Sequence, residues 1–185
     1  MDLASLFPPA LDAFITLRDK MEARCLTNEG DYESFVDVFA LNQHLNADKR
    51  TVDLFMQIAR TAPRNAKDFY HVVERLLVSE GKCDATAPYL EWQKRVDISI
   101  SAYEMGVNHE ALWEADALWR PKFARRHFQS AIASLVALLV LNDRKGDAVK
   151  FCDRCLDILD DEEFRSTLRI ALAGRFPTDE DHQID

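Results

Sequence analysis

The run Ala131-Ile132-Ala133-Ser134-Leu135-Val136-Ala137-Leu138-Leu139-Val140-Leu141 leads into the turn Asn142-Asp143-Arg144-Lys145-Gly146. Asp147-Ala148-Val149-Lys150-Phe151-Cys152-Asp153-Arg154-Cys155 follows it. Only Ser134 interrupts the apolar run. As a helix the run spans about 16 Å, against about 30 Å of bilayer hydrocarbon, so it reads as a buried core helix and not as a membrane span. After the turn, Ala148, Phe151, Cys152, Cys155, Ile158 and Leu159 recur at steps of three and four, as on an amphipathic helix. A short polar turn between two such segments makes an antiparallel helical hairpin.

The same periodicity extends in both directions. Pro121 opens the apolar helix, which carries Phe123, Phe128, Ile132, Leu135, Val136, Leu138 and Leu139. A separate short helix is expected before it, capped by Asn108 and closing at Trp119. Pro88 is expected to open a longer one through Trp92, Val96, Ile100 and Tyr103 to Gly106. Val96 to Ser101 alternates like a strand, but Trp92, Val96, Ser99 and Tyr103 continue the helical spacing and no partner strand is evident, so the segment reads as helix. Nearer the N-terminus, four helices are expected. The first starts at Pro8-Pro9 and carries Leu11, Phe14, Ile15, Leu17, Met21 and Cys25. The second starts at Asp31 and carries Phe35, Val38, Phe39 and Leu45. Val52, Phe55, Met56 and Ile58 mark the third. The fourth is capped by Asn65 and carries Phe69, Val72, Val73, Leu76 and Leu77. The last helix carries Phe164, Leu168, Ile170, Ala171 and Leu172 and ends at Gly174.

The fold class is therefore all-α: stacked antiparallel helical hairpins, eight to nine helices in an α-α superhelix or irregular bundle. With no Ser/Gly-rich or Pro-rich linker, residues 1–174 read as one helical domain and 175–185 as a frayed acidic tail.

Of 185 residues, 48% are apolar and 30% charged, with 5 Gly and 6 Pro, a balance that excludes collagen-like, disordered and turn-rich β classes. The net charge of −9 disfavours a generic nucleic-acid or anionic-membrane binder. Four cysteines in a chain this long are not expected to make a secreted disulfide scaffold, and Met1-Asp2-Leu3 is not expected to open a signal peptide. A reduced cytoplasmic protein is the expectation.

Two stretches resemble tetratricopeptide-type helical hairpins. In one, Ile132, Leu135, Val136 and Leu139 precede a turn with Gly146, and Ala148 and Cys155 stand where that family places small residues for close helix approach. In the other, Phe69, Val72, Val73 and Leu76 precede Gly81, Ala85, Tyr89 and Trp92; a fainter echo surrounds Gly30-Asp31-Tyr32 and Phe35. The resemblance covers about a third of the chain and implies a concave surface that binds a peptide or partner protein.

No catalytic constellation stands out. The chain has no Gly-rich phosphate loop, no G-x-S-x-G elbow and no H-E-x-x-H. Cys152-Asp153-Arg154-Cys155 is a C-x-x-C, but it sits within an amphipathic helix and reads as small buried hydrophobes. His71/Glu74 and His109/Glu110 are the pairs a small helical enzyme or ligand-binding protein would use. The acids Asp160-Asp161-Glu162-Glu163 suit a helix start. The most unusual composition runs from Trp113 to His127, with Glu114 and Asp116 before Pro121 and Lys122, Phe123, Arg125, Arg126 and His127 after it. Pairing between the acids and the bases, or a protein-contact patch, is the reading preferred to nucleic-acid binding.

The sequence thus points to a non-enzymatic, cofactor-free and metal-free module that binds another protein or peptide through Trp113, Trp119, Arg120, Arg125 and Arg126. A second expectation is an acidic immunity- or antitoxin-type neutraliser of a basic toxin or effector. The small helical enzyme is the third.

Overall fold

The computed structural model describes residues 8–27, 32–108 and 114–178, with side chains over 10–27, 32–108 and 120–178. Eight α-helices are described: α1 (Pro8–Cys25), α2 (Tyr32–His44), α3 (Asp48–Thr61), α4 (Pro63–Ser79), α5 (Trp92–Asn108), α6 (Glu114–Leu141), α7 (Lys145–Leu156) and α8 (Glu162–Leu172). A 3-10 segment, Cys83–Tyr89, joins α4 to α5, and no strand occurs among the described residues. The protein is all-α. Val96 to Ser101 is helical, because Val96 and Ile100 lie one turn apart and are both buried.

Contacts group the chain into two compact units, Met1–Tyr89 and Leu90–Asp185, where the sequence suggests one domain over 1–174. The junction has no linker composition: the 3-10 segment runs almost directly into α5.

In the first unit, Phe35 of α2, Phe55 of α3 and Phe69 of α4 meet in the core with Val38, Val52, Ile58, Val73 and Leu77, all buried. Phe35 and Phe69 stack with centroids 4.6 Å apart, and Tyr89 covers Tyr70 at 4.9 Å. Pro63 occupies the first position of α4, where its missing N–H is no loss, so Asn65 lies inside the helix and is not its cap. Gly81, at φ +67, turns the chain out of α4. Ala85 and Tyr89 then fall in the 3-10 segment, and Pro88 lies inside it; α5 starts only at Trp92. Arg50 ties α3 to α1, with Nε on Glu22 at 2.7 Å and Nη2 on Asp19 at 2.8 Å. Arg18 and Arg50 beside Asp19 hold its carboxyl below the usual range, Arg18 foremost through a hydrogen bond.

In the second unit α6 packs against α5, α7 and α8 and supplies most of the core: Phe128, Ile132, Leu135, Val136, Leu138 and Leu139 are all buried. The two helices expected on either side of Pro121 are one, because α6 runs unbroken through that proline. Proline removes a single N–H from the ladder; the long buried face that begins at Ala124 supports the helix around it. At the other end of α6, Asn142 donates its side-chain amide to the Leu138 carbonyl at 2.8 Å, and Asp143 adopts φ +59. Ala148 and Cys155 of α7 are fully buried. Asp161 caps α8 by accepting from the Phe164 N–H at 2.8 Å, as expected of acids at a helix start. Residues 173–178 leave the helix; the rest of the expected tail lies outside the described residues.

Candidate functional site

Two adjoining hollows flank the first half of α6. Lys122, Arg125, Arg126 and Gln129 fall at i, i+3, i+4 and i+7 and share one side of the helix. With Phe123, and with Glu163 of α8, they line a cleft of about 500 Å³. Arg120, Phe123, Ala124 and His127 repeat the same spacing on the other side. With Phe128, and with Ser99, Ala102, Tyr103, Met105 and Gly106 of α5, they line a largely apolar groove of about 380 Å³.

Phe123 belongs to both. Its side chain is 52% exposed, an unusual position for phenylalanine, and its ring stacks on His127 at 6.0 Å. Met105, 63% exposed, lines the groove across from it. Tyr103 forms part of the groove and packs on the buried Phe128 at 5.0 Å. The groove exists because α5 and α6 cross closely there: a Cβ placed on Gly106 would stand 2.5 Å from that of Ala124.

In the cleft, Arg125 Nη2 lies 2.6 Å from an oxygen of Asp161, the cap of α8. The described partner of this arginine is therefore the cap of α8; the side chains of Glu114 and Asp116, the partners expected from the sequence, lie outside the described residues. Lys122 and Arg126 are exposed and make no ion pair among the described residues. Among the described lining residues, three cations thus surround the cleft and one carboxylate, Glu163, contributes negative charge. Gln129 is 3% exposed, and its Nε2 is buried with no hydrogen-bond partner.

The five residues expected to bind a partner are placed unequally. Arg125 and Arg126 line the cleft and Arg120 lines the neighbouring groove, so the structure brings these three onto one stretch of α6. Trp119 lies on the backbone of α6 but its side chain is outside the described residues, and Trp113 is outside them altogether. Sequence reasoning missed Gln129, Tyr103 and Met105. A polar residue in register with Lys122 and Arg126, directly after a core phenylalanine, was the available signal for Gln129. Tyr103 and Met105 reach the site only through the packing of α5 on α6.

The remaining candidates fall elsewhere. Trp92 is half-buried with its ring against Phe151 at 6.1 Å, a packing position. Burial, with a smaller push from neighbouring charge, raises the Cys152 thiol to about 11 and that of Cys155 to about 12, the reverse of what a reactive cysteine needs. His71 is exposed, stacks on Tyr32 and shares a 2.8 Å hydrogen bond with the Tyr32 hydroxyl. His109 and Glu110 lie outside the described residues. Among the described residues, no group of three or more His, Cys, Asp or Glu could hold a metal, and no helix is long and apolar enough to cross a membrane. No family model, curated protein or solved structure matches the chain.

Proposed function

We propose that the protein is a non-enzymatic helical module that binds a peptide segment of a partner protein along the first half of α6. One observation carries this reading: the half-exposed Phe123 sits between an apolar groove and a basic cleft. Apolar anchors enter such a groove while charged neighbours set orientation and register. The weak likeness to stacked helical hairpins supports the same mode, in which a peptide lies against a helical surface. Among the described residues the charges gathered at this site are mostly basic, which favours a segment with acidic character over the basic partner that overall composition would suit.

Selection from a displayed library of random peptides tests the reading. Enriched sequences are expected to share an apolar residue near an acidic one. Their binding should weaken at least about tenfold in Phe123→Ser, in line with the loss of a buried aromatic anchor. Absence of enrichment would overturn the reading. So would equal binding by a Phe123→Ser protein with an unchanged circular-dichroism spectrum.

A further inference from the structure

Gln129 poses a problem of hydrogen-bond accounting. A buried amide donor without a partner is uncommon in a folded protein, because its lost hydration is not replaced. The residue is 3% exposed, its Nε2 has no hydrogen-bond partner, and it lines the same cleft as Lys122, Arg125 and Arg126. What the amide lacks is an acceptor, and the cations that line the same cleft favour an acceptor that carries negative charge.

We propose that this cleft is a subsite for a single carboxylate, the Asp or Glu side chain of the bound peptide segment, with Gln129 as its specificity-determining donor. The assignment rests on the peptide-binding reading above. Lys122 and Arg126 supply charge from the exposed rim. Arg125 is held at 2.6 Å by Asp161, which fixes its guanidinium beside the cleft and offsets part of its charge. Glu163 brings a negative charge to the lining, and the whole chain stands at −9. That balance suits a singly charged carboxylate better than a phosphate, whose second charge would meet Glu163 at close range. Phe123, shared with the groove, fixes the order of the ligand: an apolar side chain lies next to the acidic one.

The probes are capped dipeptides, Ac-Phe-Glu-NH2 against Ac-Phe-Gln-NH2, with inorganic phosphate and acetate as small-anion controls. Each is titrated into the full 15N-labelled chain while the Gln129 side-chain amide and the backbone amides of 122–129 are followed. Ac-Phe-Glu-NH2 is expected to shift these signals saturably, and the glutamine analogue to bind at least about tenfold more weakly, the cost of losing a charge-assisted hydrogen bond. Lys122→Gln with Arg126→Gln should weaken binding by about the same factor. Gln129→Leu keeps the volume and removes the donor, and it should narrow the preference for Glu over Gln without abolishing binding. Equal binding of the two dipeptides, stronger binding of phosphate, or an unchanged preference in Gln129→Leu would each overturn the subsite. If displayed peptides bind through Phe123 with no acidic preference, the subsite fails and the peptide-binding reading stands. If no displayed peptide is enriched, that reading fails, whereas a saturable shift at Gln129 with Ac-Phe-Glu-NH2 shows the carboxylate site alone.

Discussion

At Gly106 the absence of one methyl group sets how closely α5 and α6 approach. Alanine is ordinarily the better helix residue by about 0.5–1 kcal/mol, so an exposed glycine here would be stabilised by replacement. The 2.5 Å contact with the Ala124 Cβ reverses the sign. Gly106→Ala is expected to lose about 1–3 kcal/mol, the usual range for overpacking, read as a lower urea midpoint. Adding Ala124→Gly should restore part of that loss, because the two methyls compete for one space. If the double variant is no more stable than Gly106→Ala alone, the close crossing is not the cause. Cys152 and Cys155 make a different residue-scale point, since burial lifts both thiols above the ordinary value of 9.0, to about 11 and about 12. Below pH 9 both folded and unfolded chains keep these protons. Above it the unfolded chain releases them first, so stability falls as pH rises toward 12. Urea unfolding at pH 8 and at about pH 10 should show a steeper decline for the native chain than for Cys152→Ala/Cys155→Ala. Parallel declines would mean that these thiols are not shielded.

The helices differ in how plainly their residues announce them. In α3, Val52, Phe55 and Ile58 are buried at the spacing that predicted them, as are Ala148, Phe151, Cys152 and Cys155 in α7 and Phe164, Leu168 and Ala171 in α8. Ile158, by contrast, lies past the end of α7 and is exposed, and Ile170 and Leu172 are half-buried. Prolines misled the reading because a helix boundary depends on what surrounds the ring. Pro63 sits where a helix tolerates it, Pro88 lies in a 3-10 segment, and Pro121 is spanned. Arg120, Arg125 and Arg126 were legible as a basic run on a helix. The hollows beside them were not, because α5 and α8 form the opposite walls and local spacing carries no record of such partners. If α6 is held through Pro121 by its buried face, Pro121→Ala recovers a backbone hydrogen bond. It should then stabilise the protein by about 1–3 kcal/mol, as for a helix-interior proline. A neutral effect in a thermal melt would place Pro121 in a first turn, as the sequence suggested. Leu138, fully buried on the same helix, should cost about 2–5 kcal/mol when cut to alanine. A melt close to that of the native chain would show that it is peripheral to the core.

Across the whole molecule, a net charge of −9 coexists with a cleft edged by three cations. The two act over different ranges. At physiological salt, charges separated by more than about 8 Å are largely screened, so the acidic envelope limits encounter while Lys122, Arg125 and Arg126 govern what happens inside the cleft. That locality matters because every described lining residue of the cleft and the groove belongs to the second unit. Each unit also has its own aromatic core: Phe35, Phe55 and Phe69 in the first, Phe128, Phe151 and Phe164 in the second. Chains of about 90 residues bury enough surface to fold without staples. Produced separately, 1–89 and 90–185 are each expected to show helical circular dichroism and a cooperative melt. The second fragment alone should reproduce the Gln129 shift with Ac-Phe-Glu-NH2. A non-cooperative melt in either fragment would show that its core closes only within the full chain. A folded 90–185 fragment that has lost the shift would mean that residues before Leu90 help to build the carboxylate site, which its lining residues give no reason to expect.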